Sequence, residues 1–145
     1  MMISTRGRYA LRIMVELAMY PGEDYMPLKD IAQRQEISGK YLEAIVKLLV
    51  QGGLVNGVRG KGGGYRLARP ASEYSILEIL DATEGAVVPV SCLEGDPKDC
   101  PRVGSCVTLP MWQGLSQVIQ DYLSAITLAQ LVQQAAERGI RPDKI

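Results

Sequence analysis

The sequence predicts a mainly α-helical protein, a winged helix-turn-helix with a β-hairpin wing plus a long C-terminal dimerisation helix. In the first half, apolar residues recur at steps of three and four, the period of amphipathic helices. Two short apolar runs, Leu54–Val58 and Tyr65–Ala68, then flank a Gly-rich basic tip, which is typical of a β-hairpin. Further along, Met111–Arg138 is apolar and nearly free of charge, which predicts a helix that needs cover on more than one side.

Local signals place the first three helices. The first is predicted to begin at Ser4 or Thr5, either of which can cap it, and to end near Met19 before a Pro-Gly pair. The second and third are predicted over Leu28–Gln35 and Gly39–Gln51, and two glycines end the third. The order helix, helix, turn, helix and hairpin is that of a winged helix-turn-helix.

The turn of this motif departs from the commonest pattern, because Glu36 stands at the position where glycine is common. Pro70 closes the module. We therefore predict a DNA-binding domain over 1–70, a short helix and cysteine-containing loop over 71–110, a dimerisation helix over 111–138 and a tail over 139–145. The short helix is predicted at Ile76–Ala82. A second copy of the chain is the expected cover for the long helix.

The charge balance separates these regions. The formal net charge is zero, but residues 1–70 sum to +5 and residues 71–145 to −5. Such asymmetry is typical of a nucleic-acid-binding part joined to another function. With no histidine, no cofactor motif and no convergent acid–base set, the sequence predicts no enzyme. It also shows no signal peptide or membrane span, so we expect a cytoplasmic protein with no membrane partner.

The basic half predicts binding to double-stranded DNA. Recognition helices read base edges from their amino-terminal end, and a Gly-rich tip lets basic side chains approach phosphates. An acid on such a surface is repelled unless it accepts from a cytosine amino group, so Glu43 is a candidate base reader. The alternatives are an ordinary solvated surface or a protein-interaction module. The predicted DNA-binding residues are Ser38, Lys40, Tyr41, Glu43, Lys47, Arg59 and Lys61.

The three cysteines, Cys92, Cys100 and Cys106, all fall within one Gly- and Pro-rich segment. Their spacing does not match the paired cysteines of zinc fingers or ribbons. Three thiolates suit an iron–sulfur cluster, which ordinarily takes a fourth ligand. Structural zinc with an oxygen ligand and a redox disulfide remain alternatives. The nearby oxygen candidates for a fourth ligand are Glu84, Glu94, Asp96 and Asp99.

Several of these stretches together resemble the Rrf-type winged-helix transcription regulators, in particular those that carry an iron–sulfur cluster. The matching stretches are ISTRGRYALRIMVEL at Ile3–Leu17, Tyr41-Leu42-Glu43, VRGKGGGY at Val58–Tyr65 and the cysteine loop before Trp112. The resemblance implies a homodimeric cytoplasmic regulator, a repressor, that binds a palindromic operator. It also implies an iron–sulfur cluster, [2Fe–2S] rather than [4Fe–4S], held by the three cysteines.

Residue by residue, the resemblance gives Glu43 the role of a base-reading acid and Arg59 that of a wing arginine in the minor groove. Ser38 falls at a further contact position, whereas Lys40 replaces a small residue of the cluster-bearing relatives. The fourth ligand does not carry over, since those relatives have a histidine where this chain has Leu109.

Nitric-oxide-sensing relatives instead use an acid where this chain has Arg8. The alternative within the family is a regulator of cysteine or sulfur metabolism that senses through a partner enzyme or through thiol oxidation. Members of that branch generally do not carry the three cysteines.

Overall fold

The computed structural model describes residues 2–20, 22 and 24–141, and within them it forms six α-helices and one two-stranded sheet. Four single turns of 3-10 helix lie between the longer elements. The predicted positions 142–145 of the tail lie outside the described residues. The elements are α1 (Thr5–Met19), α2 (Leu28–Gln35), α3 (Gly39–Gln51), β1 (Val55–Val58), β2 (Gly64–Leu67), α4 (Ile76–Glu84), α5 (Leu109–Ala125) and α6 (Leu128–Glu137).

The predicted helix-turn-helix is confirmed. Ser4 caps α1 by accepting from the backbone N–H of Gly7, and Ser38 caps α3 by accepting from that of Tyr41. Between α2 and α3, Glu36 adopts the left-handed conformation with φ 54° and ψ 41°. It is the one non-glycine residue with positive φ among those described. Glycine is common at this position because it adopts such a φ without steric cost.

The hairpin is antiparallel, with Val55 opposite Leu67 and Val58 opposite Gly64. Met26 and Tyr65 exchange two backbone hydrogen bonds of 2.9 Å each, which anchor the wing to the chain before α2. Gly64 approaches so closely that a side-chain carbon there would collide with the Met26 carbonyl. The wing is therefore fixed against the helical body at its base.

One hydrophobic core holds residues from both sides of Pro70. Buried side chains of α1, α3, α4 and α6 belong to the same cluster, so the predicted domain boundary at Pro70 does not divide the core. Tyr74 is fully buried, and its hydroxyl donates to the Leu54 carbonyl at 2.7 Å. Among the described residues, no helix is both long and apolar enough to cross a bilayer.

The prediction of one helix over Met111–Arg138 is wrong, because the chain breaks at Ile126 and Thr127 into α5 and α6. The break has two causes. Thr127 and Gln130 form a capping box that starts a new helix. In addition, Ile76 N–H donates to the Ile126 carbonyl and Leu128 N–H donates to the Tyr74 carbonyl, at 2.9 and 3.0 Å. This pairing satisfies the backbone groups that a continuous helix would have used, and α6 packs on α1.

Candidate functional site

The third helix places the predicted DNA-binding residues on one exposed side. Its buried residues Leu42, Ile45, Val46 and Leu49 pack into the core. The residues on the other side are exposed, as the 3.6-residue period requires. They are Ser38, Lys40, Tyr41, Glu43 and Lys47.

The helix α3, from Glu43 to its carboxyl end, and the wing form one groove of about 450 Å³. Glu43 and Lys47 line it from the helix, and Arg59 lines it from the end of β1. The structure thus brings together three of the predicted contacts from two separate elements. Lys61, at the tip of the wing, is exposed and is not among the lining residues.

Two bases of the wing region face the protein rather than the groove. Arg69 forms an ion pair with Glu78, and its guanidinium lies 4.2 Å from the centre of the Tyr74 ring. The guanidinium of Arg66 lies 4.6 Å from the centre of the Tyr25 ring. These arginines hold the wing and its exit in place. Sequence reasoning could not assign that role, because Glu78 and Tyr74 belong to the region after Pro70.

A buried carboxylate joins α1 to the end of α2. Glu16 is fully buried, accepts from the side-chain amide of Gln35 at 2.5 Å, and lies 3.7 Å from a guanidinium nitrogen of Arg34. Burial raises the pKa of Glu16 above its ordinary value, and the contacts with Gln35, Arg34 and Arg12 partly offset this rise. The one hint of this contact in the sequence is an acid within an apolar helix face.

The cysteine segment does not gather its three thiols. Cys92 and Cys100 line one pocket of about 310 Å³ together with Asp96 and Asp99. Cys106 is not among those lining residues, and its Sγ lies 3.6 Å from the Thr108 hydroxyl. In the part of the chain that the structure describes, no three Cys, Asp or Glu side chains are close enough to hold a metal ion.

The thiol chemistry of the segment suits an iron–sulfur cluster, but the arrangement of the donors in this structure does not fit one. The Cys106 thiol has a distinct environment, since the hydroxyl and then the backbone N–H of Thr108 lower its pKa. A lowered thiol pKa increases the fraction of nucleophilic, oxidisable thiolate.

The acids proposed as fourth ligands do not gather at one point: Asp96 and Asp99 line the pocket of Cys92 and Cys100, and the other two do not. Glu84, at the end of α4, accepts from the hydroxyl and backbone N–H of Ser4 and from the N–H of Gly7 at 2.7 Å. The Glu84 carboxylate therefore caps the amino end of α1. Asp96 accepts from the N–H of Lys98 within a single 3-10 turn. Glu94 lines a different pocket, which it shares with Glu84.

The helix that follows the cysteine segment carries an exposed apolar stripe. Met111, Leu115, Val118 and Tyr122 of α5 are all exposed, and they recur at steps of four, three and four. This is the spacing of the seam between two packed helices. Ser116 is the one buried residue of α5. Within the part of the chain that the structure describes, no other element covers this stripe.

Comparison with known proteins identifies relatives over nearly the whole chain. Residues 3–134 match the family model described as Rrf2, iron-dependent transcriptional regulator. The HTH-type transcriptional regulator IscR of Serratia proteamaculans is 39% identical over 132 residues, which cover 91% of this chain and 79% of the relative.

Two solved structures share both the fold and part of the sequence. The structure of CymR, described as the global cysteine regulator of B. subtilis, has a TM-score of 0.73 and 36% identity, covering 92% of this chain and 98% of CymR. The T. potens IscR structure has a TM-score of 0.76 and 33% identity, covering 97% of this chain and 93% of its own. The chain is thus similar both to IscR and to CymR, a cysteine regulator.

Proposed function

The chain belongs to the Rrf2 family of DNA-binding transcription regulators, and from this premise we propose that it acts as a homodimeric repressor on a palindromic operator. We further propose that the state of the cysteine segment sets its affinity for that operator. The observation that carries the proposal is the groove that joins Glu43 and Lys47 of α3 to Arg59 of the wing.

The exposed side of α3 and the basic residues of the wing support DNA binding at this surface. The exposed side of α3 enters the major groove, where Glu43 accepts from a cytosine amino group. Lys47 and Lys61 contact phosphates, and Arg59 reaches the adjacent minor groove. Ser38, Lys40 and Tyr41 lie at the amino end of α3, where base edges and flanking phosphates meet a recognition helix.

The dimer forms through α5. Its apolar stripe contains no charged residue, and a second copy supplies the same stripe by two-fold symmetry. Two recognition helices would then be held at a fixed separation, as a palindromic operator requires. The cysteine segment ends where α5 begins, so a change in its conformation alters that separation.

The segment's chemistry has two candidates. The resemblance to cluster-bearing relatives favours an iron–sulfur cluster held by Cys92, Cys100 and Cys106, which requires these residues to move together. Thiol oxidation at a single cysteine needs no second thiol nearby, so the separation of the thiols does not oppose it, and the contact of the Cys106 Sγ with the Thr108 hydroxyl at 3.6 Å singles out this thiol. The similarity to CymR, a cysteine regulator, is consistent with this second candidate.

The DNA-binding proposal is tested by selecting operator sequences from a random duplex library and then measuring the affinity of variants. We expect Arg59→Ala to weaken binding to selected DNA, and Glu43→Ala chiefly to relax the choice of sequence. Arg138→Ala removes the same charge from an exposed position of the acidic half, outside the cysteine segment, and serves as the control. Equal losses on selected and random DNA for both groove variants would contradict these roles.

The dimer is tested by sedimentation of Val118→Asp, which places a charge in the stripe. We expect a shift from dimer to monomer. Val107→Asp is the matched control, because Val107 is exposed but precedes α5. If both variants remain dimeric, α5 is not the interface.

Anaerobic purification distinguishes an iron–sulfur cluster in the cysteine segment from thiol oxidation there. A cluster gives coloured protein with iron and sulfide, and Cys92→Ala, Cys100→Ala and Cys106→Ala each remove them. Colourless protein after anaerobic reconstitution, with operator affinity that responds to peroxide, would favour thiol oxidation. Unchanged affinity in all three variants would refute a sensing role for the segment.

A further inference from the structure

The exposed surface of α1 carries positive charge that the predicted DNA contacts do not include. The first fifteen residues contain three arginines and no acid. Two of them, Arg6 and Arg8, are exposed on the first two turns of the helix. Their position matters because α1 packs against α3, the helix proposed to read DNA.

Four residues of α1 line a shallow groove of about 200 Å³: Thr5, Arg8, Tyr9 and Arg12. One guanidinium nitrogen of Arg8 donates to the Thr5 hydroxyl at 3.0 Å, which orients this side chain along the helix. The guanidinium of Arg12 lies 5.0 Å from the centre of the Tyr9 ring. The lining thus contains two guanidinium groups and two hydroxyls, and no carboxylate.

Ring contacts connect this groove to the amino end of α3. The Tyr9 and Tyr41 rings meet edge to face, with centroids 6.1 Å apart and an interplanar angle of 87°. Tyr41 lies in the first turn of α3, beside the exposed Ser38 and Lys40. The first N–H groups of a helix lack intrahelical partners and carry partial positive charge, so they add to the attraction of an anion there.

We propose that the Thr5–Arg8–Tyr9–Arg12 groove binds a backbone phosphate of DNA, at the edge of the major groove that α3 enters. This inference rests on the proposed function, because α3 fixes where the duplex lies. A guanidinium presents paired N–H donors that match phosphate oxygens. Arg12 also lies near the buried Glu16 and lowers its pKa, so Arg8 supplies most of the charge available to the phosphate.

The salt dependence of binding measures phosphate contacts directly, since each one releases condensed counterions from the DNA. We compare the unmodified chain, Arg8→Ala and Arg6→Ala on a random-sequence duplex of about 30 base pairs, long enough for two half-sites. Arg6 is the matched control, because it is an exposed arginine of the same helix that does not line the groove.

We expect Arg8→Ala to lower the magnitude of the salt slope by about 1 per protomer and to weaken binding roughly tenfold at low salt, on random and selected DNA alike. Arg6→Ala should lower the slope by much less. Equal slopes for the two variants would overturn the inference, because charge alone would then explain the effect. Thermal unfolding checks each variant, and Arg8→Gln replaces Arg8→Ala if the latter does not fold.

The failure of this inference is distinct from the failure of the proposed function. If the unmodified chain binds DNA with a steep salt slope and Arg8→Ala keeps that slope, only the phosphate groove is refuted. If the unmodified chain shows no salt-dependent binding to any duplex, the DNA-binding proposal is refuted, and the groove with it.

Discussion

The DNA-reading region and the cysteine region of this chain are built in opposite ways. α1 alone contributes seven buried residues to the interior. From Val88 to Ala125, by contrast, Ser116 is the one residue that is buried. The backbone hydrogen bonds found between residues 90 and 106 join residues only three apart along the chain, within single turns. The DNA-reading region is held by tertiary packing, whereas the turns between residues 90 and 106 are held by local contacts.

This difference assigns different tasks to the two regions. A surface that reads DNA must keep its geometry whether or not DNA is present, and a packed core provides that rigidity. A segment with few buried apolar contacts opens at low cost in free energy. Its conformation is then decided by what it binds, such as a metal centre, or by a covalent change at its thiols. Glu84 lies where the two regions meet. It is the last residue of α4, just before the cysteine region, and its carboxylate accepts from the N–H of Gly7 in α1.

The largest expected effect tests the contrast in packing with one substitution at two places. Val46 in α3 is 1% exposed, whereas Val107 after the last cysteine is 92% exposed. We expect Val46→Ala to lower the free energy of unfolding by about 2–3 kcal/mol, through lost burial and the cavity that remains. Val107→Ala should change it by less than about 0.5 kcal/mol. Urea denaturation measures both, and similar losses would contradict the contrast.

The next effect tests the link between the regions. A side-chain carbon at Gly7 would collide with the Glu84 carboxylate, so Gly7→Ala must displace this cap. Relative to a Gly→Ala change in a helix with no such contact, we expect a loss of about 1–2 kcal/mol in the free energy of unfolding, the usual cost of removing a helix cap. In Gly114→Ala, on α5, the new carbon meets nothing within 4 Å. That control should be neutral or stabilising, since alanine favours helices. A stable Gly7→Ala protein would show that the cap contributes little.

Local signals explain why the DNA-reading region could be predicted from the sequence. Ser4 and Ser38 cap their helices from within one turn, and the apolar period alone separates Leu42 and Ile45 from the exposed Glu43. These features depend on residues that are neighbours along the chain. The groove between α3 and Arg59 also depends on how the wing docks at Met26, which no local pattern records.

Distant partners explain what the sequence did not reveal. The apolar stripe of α5 runs on into α6, so periodicity alone favoured one helix over Met111–Arg138. The break depends on pairing with Tyr74 and Ile76, some fifty residues earlier in the chain. Its local signal was the Thr127–Gln130 capping box. Likewise, proximity in sequence suggested that the three cysteines share one centre, whereas the turns between them hold Cys106 apart.

A smaller effect concerns the buried carboxylate of the rigid region. Near pH 7 we expect Glu16→Gln to raise the free energy of unfolding by about 1 kcal/mol, because the amide avoids the cost of burying a charge and still accepts from Gln35. The pKa of Glu16 is raised in the folded state, so the native protein takes up this proton first as the pH falls. The native carboxyl therefore regains stability towards low pH and loses it as the pH rises through its folded-state pKa.

Urea denaturation of both proteins over a series of pH values checks this sign. The advantage of Glu16→Gln should shrink as the pH falls from neutral towards the ordinary pKa of a carboxyl group. A loss of stability in Glu16→Gln at neutral pH that disappears as the pH falls would instead mean that the pairing with Arg34 outweighs the burial of the charge.

The smallest effect concerns the turn between α2 and α3, where the rigid region holds a non-glycine residue in a costly conformation. Glu36 is exposed and has φ 54°, so its side chain contributes little packing while its backbone is strained. We expect Glu36→Gly to raise the free energy of unfolding by about 0.5–1 kcal/mol, since glycine adopts positive φ freely. Glu36→Ala keeps the strain, removes the same charge and is the control. If both variants are equally stable, the charge rather than the backbone determines the effect, and the turn is not a site of strain.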